Sequence, residues 1–162
     1  MVLDIGSDLF KKKVRDFDVS DFLISRSIVS LKNKFISIPA SAFQPVDTDA
    51  DKIDYNNTDG SATMAVNTCE IVAPVILPHG AEMLACIVYG NAGAEGEQYR
   101  LRRSKLSDAS TNIIFQDPIN SEETVVSPAE ERIVNNLVYT YHINIENLEI
   151  GDKIYGARIR LL

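Results

Sequence analysis

Tryptophan is absent from this chain, and only two cysteines and two histidines occur among its 162 residues. Each scarcity removes a class of chemistry. Two cysteines without clustered histidines make no zinc site. Cys69 and Cys86 each sit in an apolar run, which reads as two buried free thiols, with a disulfide between neighbouring strands as the alternative. A catalytic triad needs a histidine beside an activated serine and an orienting acid. His79 lies in a Pro78-His79-Gly80 turn and His142 on the outward side of an alternating run; no Gly-x-Ser-x-Gly elbow accompanies either. No stretch approaches the roughly eighteen apolar residues of a membrane helix. The opening MVLDIGSDLFKKK puts charge where a signal peptide needs an apolar segment, so neither a span nor a leader is expected. Basic residues are also scarce in the body. Met1 to Ile38 hold seven Lys/Arg against five Asp/Glu, whereas the remainder holds nine against eighteen. A body of that sign repels phosphate, which argues against nucleic acid as a main partner.

What is present is β-rich. The composition, 45% hydrophobic and 24% charged, is that of a folded domain. The stretch IVAPVILPHGAEMLACIVYGNAGAEGEQYRLRR (Ile71 to Arg103) reads as strand, turn, strand, turn, strand, with GNAGAEG as a hairpin connection. Cys69 to Ile76, Glu82 to Tyr89, the run around Tyr99 and Leu101, and Thr111 to Phe115 read as strands; Ala62 to Val66 and Glu122 to Val126 are weaker candidates. Pro74 suggests an edge or a bulge. Leu137, Tyr139, Tyr141, Ile143 and Ile145 alternate with Val138, Thr140, His142 and Asn144, the period of a half-buried strand. In the last run Tyr155, Ala157, Ile159 and Leu161 are expected inward, against Arg158 and Arg160. SPAEER (Ser127 to Arg132) reads as one or two helical turns, with Ser127 as cap and Pro128 first. SAFQPVDTDADKIDYNNTDGS reads as a long loop. Short strands without interleaved long helices mean an antiparallel β-sandwich, jelly-roll-like, over residues 34–162.

Residues 1–33 differ and read as a partly helical N-terminal arm. Ser7 or Asp8 can cap a short helix in which Phe10, Val14 and Phe17 share a face, and Phe22-Leu23-Ile24 form a second apolar patch. The arm packs either on its own domain or on a neighbouring subunit. In the second case Phe10, Val14, Phe17, Phe22, Leu23 and Ile24 carry self-association.

IPASAFQP (Ile38 to Pro45), APVILPHGA (Ala73 to Ala81), VYGN (Val88 to Asn91) and IYGARIRL (Ile154 to Leu161) together resemble a β-sandwich module of phage tail-fibre-like proteins and bacterial exported proteins of unassigned function. The resemblance covers about three quarters of the chain. It implies a jelly-roll-like structural or adhesive module, a hairpin at Ala73 to Ala81, a Tyr-Gly pair in the last strand, and no catalytic residues.

Candidate ligands are few. Asp47, Asp49, Asp51, Asp54 and Asp59 cluster in one loop, and hard oxygens on a flexible loop are what calcium takes. As an EF-hand starting at Asp47 the loop fails, with Lys52 in the place of the turn glycine and Thr58 in that of the bidentate Glu. Solvated loop acids are the plainer reading, so Asp47, Asp49 and Asp51 are a weak calcium candidate, and no cofactor is expected. Glu122-Glu123 and Glu130-Glu131 are adjacent acids of a kind usually just solvated, although paired carboxylates also serve glycosidases. Arg100, Arg102, Arg103 and Lys105 form a basic patch, either paired with nearby Glu or docking an acidic surface of another copy. The expectation is a non-enzymatic structural subunit of a virus particle or extracellular filament, assembling as a homo-oligomer, or with other structural subunits, through its arm. The alternative is a carbohydrate-binding or adhesive module presenting a surface to glycan. Exposed aromatics would mark that alternative, and several of the six tyrosines read as core.

Overall fold

Alternation at the C-terminal end of the chain builds the two strands around which everything else is arranged. In the computed structural model, which describes residues 34–92, 96–122 and 128–162, these are β9 (Tyr139–Leu148) and β10 (Lys153–Leu161). Before them come β1 (Lys34–Pro39), β2 (Gln44–Pro45), β3 (Ile53–Tyr55), β4 (Ala62–Met64), β5 (Cys69–Val75), β6 (Met83–Gly90), β7 (Gln98–Lys105) and β8 (Thr111–Pro118), with short 3-10 turns at Ala40–Ala42 and Ala129–Glu131. β10 organises one sheet. Ile159 pairs with Ile36 of β1 on one flank and Cys86 of β6 on the other, and Ile154 pairs with Ala62 of β4 and Gly90 of β6. β4 therefore continues the β1 flank, and β3 lies beyond it. β9 organises the other sheet, whose order is β2-β5-β9-β7-β8. All pairings are antiparallel, and the body is a β-sandwich.

The inward residues interdigitate between the sheets. Ile71, Ala73 and Val75 of β5, Tyr99 and Leu101 of β7, Phe115 of β8 and Tyr141, Ile143 and Ile145 of β9 meet Cys86 and Val88 of β6 and Ile154, Ile159 and Leu161 of β10. Each fully buried aliphatic or aromatic side chain contributes about 1.5–3 kcal/mol of transfer free energy. Tyr139 is only half-buried. Cys69 and Cys86 are free and buried, as expected. Burial, followed by the nearby Asp51 carboxylate, pushes the Cys69 thiol up to about 11, and burial raises that of Cys86 further.

Several expectations are corrected. β5 and β6 do not form a hairpin, and neither do β6 and β7: each pair lies in opposite sheets, so the Leu77-Gly80 turn arches over the core edge. Apolar runs flanking a turn have the same pattern whether they pair side by side or face each other across a core. The supposed long loop contains β2 and β3. Pro74 is paired with His142 of β9, but β2 reaches only Val72 on the other flank, so the missing N–H breaks no ladder there. Leu137 precedes β9 and is 82% exposed. SPAEER yields only the 3-10 turn at Ala129–Glu131, with Pro128 as the residue before it. Glu122 belongs to no strand, and the rest of that candidate strand, with Ser127, lies outside the described residues. So do the arm and its Phe10, Val14, Phe17, Phe22, Leu23 and Ile24.

Candidate functional site

Two Tyr-Gly pairs, Tyr89-Gly90 and Tyr155-Gly156, are brought side by side by the β6–β10 register, in which Tyr89 opposes Gly156 and Gly90 opposes Ile154. Strict alternation would send Tyr155 inward with Ala157. Instead the register shifts between Ile154 and Gly156, a bulge that changes the facing of one residue. Ile154 stays buried and Tyr155 turns out to 53% exposure, correcting the expectation that it is core. Gly156 holds φ at +144°, and a Cβ there would lie 2.7 Å from the Ile38 carbonyl oxygen. Only glycine fits so close to β1. Gly90 is equally confined, its Cβ position falling 2.4 Å from the Lys153 carbonyl oxygen. The Asn120 side chain fixes that glycine from the other flank: its Oδ1 accepts from Gly90 N at 3.1 Å and its Nδ2 donates to Gly90 O at 2.8 Å.

On the solvent face of β1, β10 and β6 these features form an open notch of about 370 Å³. Its lining includes Tyr155, Tyr89, Pro39, Ser37 and Arg158, together with Gly156 and its neighbours Ile38 and Ala157. The Arg158 guanidinium lies over two rings, 5.2 Å from the centre of Phe35 and 5.6 Å from that of Tyr89, within cation–π range. Phe35 is 53% exposed. Among the described residues no carboxylate, imidazole or thiol lines the notch; its lining supplies apolar ring faces and N–H and O–H groups. Phe35, Tyr89, Tyr155 and Arg158 escape a sequence reading because the bulge reverses one parity and the clustering is cross-strand. The repeated Tyr-Gly pair was the visible signal.

The basic patch is divided by strand alternation. Arg100 and Arg102 lie on the outer face of the second sheet and both hold Glu146, the Arg102 contact being 3.2 Å; Arg100 Nε also donates to Gln116 at 3.1 Å. Arg103 points the other way, 2.9 Å from Glu131 and stacked 4.5 Å above the Tyr139 ring. Lys105 pairs with Asp108 at 3.1 Å across the β7–β8 hairpin. Each of the four therefore has an acid partner, as the paired reading holds. His142 lies beside Arg102 on the outer face; burial first, and that guanidinium second, hold its pKa below the usual 6.5. His79 is elsewhere, its Nδ1 accepting from Asn136 N at 3.1 Å, and it holds the Leu77-Gly80 arch in place.

In the 47–59 segment the side chains of Asp47, Asp51 and Asp59 accept from backbone N–H groups. Asp47 Oδ1 accepts from Asp49 N at 2.9 Å, and Asp51, nearly buried, accepts from Asp47 N at 2.9 Å and Glu70 N at 3.0 Å, tying the turn to β5. Asp54 lies in β3, and Asp59 accepts from Ser61 N and Oγ. Among the described residues no three His, Cys, Asp or Glu side chains converge as a metal site. Of the adjacent acids, Glu122 lies 3.9 Å from Arg160 and Glu131 binds Arg103.

No family model and no curated protein matches the chain. Among solved structures it resembles carbohydrate-binding modules. One is the C-terminal family 6 module of a marine laminarinase from Zobellia galactanivorans, at 11% identity over 78% of this chain and 98% of that one, TM-score 0.48. A xylan-binding module of family 15 aligns at 14% identity over 80% and 97%, TM-score 0.46. A family 61 module in complex with β-1,4-galactotriose aligns at 14% over 76% and 90%, TM-score 0.41.

Proposed function

We propose that the chain is a non-catalytic carbohydrate-binding module that seats a saccharide in the notch on β1, β6 and β10. What supports this is the Arg158 guanidinium over the Phe35 and Tyr89 rings, beside the exposed Tyr155, on one sheet face. Aromatic rings offer flat apolar area at small entropic cost and stack on the C–H faces of a sugar ring, while Arg158, Ser37 and the tyrosine hydroxyls reach its oxygens. About 370 Å³ lies within the ~300–1,000 Å³ usual for small-ligand sites. A rigid sheet holds these groups in place before any ligand arrives, which lowers the ordering cost of binding. The arm residues that would make the chain a structural subunit of a virus particle or filament lie outside the described residues, and the notch needs no second subunit to be complete.

The test is retardation of the full chain in gels containing a panel of neutral and acidic polysaccharides, followed by calorimetry. Tyr155→Ala and Tyr89→Ala should each weaken binding about tenfold or more, the scale of an aromatic anchor, with an unchanged far-ultraviolet spectrum. If no polysaccharide retards the chain, or if the Tyr89/Tyr155 double variant binds as well as the parent, the notch is not a glycan site.

A further inference from the structure

We infer that the notch selects an anionic saccharide, with Arg158 reading a carboxylate or sulfate on the sugar. This rests on the glycan-binding reading of the same site and adds the charge of its ligand. Among the described residues the body has six arginines, and five have a carboxylate within 4 Å: Arg100 and Arg102 share Glu146, Arg103 has Glu131, Arg132 has Glu82 and Arg160 has Glu122. Among the described residues Arg158 alone has no carboxylate in that range. Its guanidinium instead lies over the Phe35 and Tyr89 rings, which hold the cation in place while accepting none of its N–H donors in the plane of the guanidinium.

The surroundings have the same sign. The three strands that form the notch, KFISIP, MLACIVYG and KIYGARIRL, carry Lys34, Lys153, Arg158 and Arg160 and not one Asp or Glu. The chain as a whole has a net charge of −7. Among the described residues, a guanidinium with no carboxylate within 4 Å, on three strands that carry no Asp or Glu of their own, is thus an exception. A guanidinium discriminates between ligands most where it meets a planar or tetrahedral oxyanion, which it grips with two parallel N–H bonds. A neutral pyranose would use the rings and leave the cation without its counterpart.

The experiment measures binding of the full chain to polygalacturonate and dextran sulfate, with fully methyl-esterified polygalacturonate, xylan and dextran as neutral counterparts, together with its mass by light scattering. We expect at least one acidic polymer to bind about tenfold tighter than its neutral counterpart, and the preference to shrink between about 50 and 300 mM salt. Arg158→Gln should abolish the preference and Arg158→Lys should keep part of it. Carboxylate and sulfate are distinguished by which of the two acidic polymers binds. If neutral polymers bind as tightly, with Tyr155 required and Arg158→Gln silent, the charge assignment is wrong and the module reading stands. If no saccharide binds, the module reading itself fails. If instead the chain self-associates and Arg158→Gln dissolves the oligomer, the occupant is an acidic face of a second copy and the inference is overturned.

Discussion

Gly156→Ala isolates the backbone feature on which the notch depends. Two costs should combine. At φ +144° an L-residue is held in a sparsely populated region, worth about 1–3 kcal/mol. The new methyl would also stand 2.7 Å from the Ile38 carbonyl oxygen and 3.7 Å from the Pro39 Cα. Both are backbone atoms of a strand paired to β10 over its whole length, so no side chain can swing aside. Overpacking of this kind costs about another 1–3 kcal/mol, giving about 2–6 kcal/mol in all. At about 4 °C per kcal/mol for a domain of this size, Tm should fall by about 8 °C or more. Gly60→Ala is the control: φ is +72° there, yet nothing lies within 4 Å of the added carbon, so the left-handed strain of about 1–2 kcal/mol acts alone. Urea unfolding followed by circular dichroism should show both midpoints lowered at constant slope, with Gly156→Ala lower. Equal losses in the two variants would mean that the close approach of β1 to β10 contributes nothing, and the account of why Tyr155 faces out would fall with it.

Tyr99 is fully buried, and its single hydroxyl proton is shared between Cys86 O at 2.6 Å and Ser121 O at 3.1 Å. Tyr99→Phe should cost about 1–3 kcal/mol in urea unfolding, because buried carbonyl groups lose a donor; a loss below about 0.5 kcal/mol would show that water replaces it. With their pKa values raised by burial, Cys69 and Cys86 should be almost inert to a disulfide reagent at about pH 8 in the native chain, yet both should titrate in denaturant. Rapid native labelling would contradict their placement. His142 has a folded pKa below 6.5, so the unfolded chain takes up that proton first as pH falls. Its contribution is flat above about pH 6.5 and turns destabilising from there down through the folded pKa. His142→Gln should flatten the urea midpoint between about pH 5 and 7; a steeper acid loss in the variant would reverse the sign.

Periodicity made the sandwich legible because a strand half in and half out of a core writes its environment into alternate residues. Tyr141, Ile143, Ile159 and Leu161 follow that rule and are buried. Connectivity was hidden for a reason of the same kind. A short turn between apolar runs closes a hairpin when the runs share a sheet and an arch when they face one another, and each run looks identical in both cases. β7–β8 is a true hairpin; β5–β6 and β9–β10 are arches. The pieces of β2 and β3 were lost among Asp and Asn because strands of two and three residues are too short to show a period.

The site was hidden by exceptions to the rule that made the fold readable. Tyr155 has the parity of a core residue, and only the bulge before Gly156 exposes it. Arg158 looks like any outward arginine of the last strand, and nothing local says that no described acid reaches it while Arg160, two residues on, has Glu122. Both facts belong to pairings between residues tens of positions apart, Gly156 with Tyr89 and Arg158 with the Phe35 ring. The two Tyr-Gly pairs were nevertheless in plain view. A glycine within an otherwise apolar strand sacrifices packing and backbone entropy, so it signals a close approach or a bulge. When such a glycine twice follows a tyrosine in strands that pair with each other, the tyrosines stand beside a space that no β-carbon fills. Aromatic walls beside such a space are what the proposed saccharide site rests on, and a cation with no described acid at its rim is what the proposed charge preference rests on.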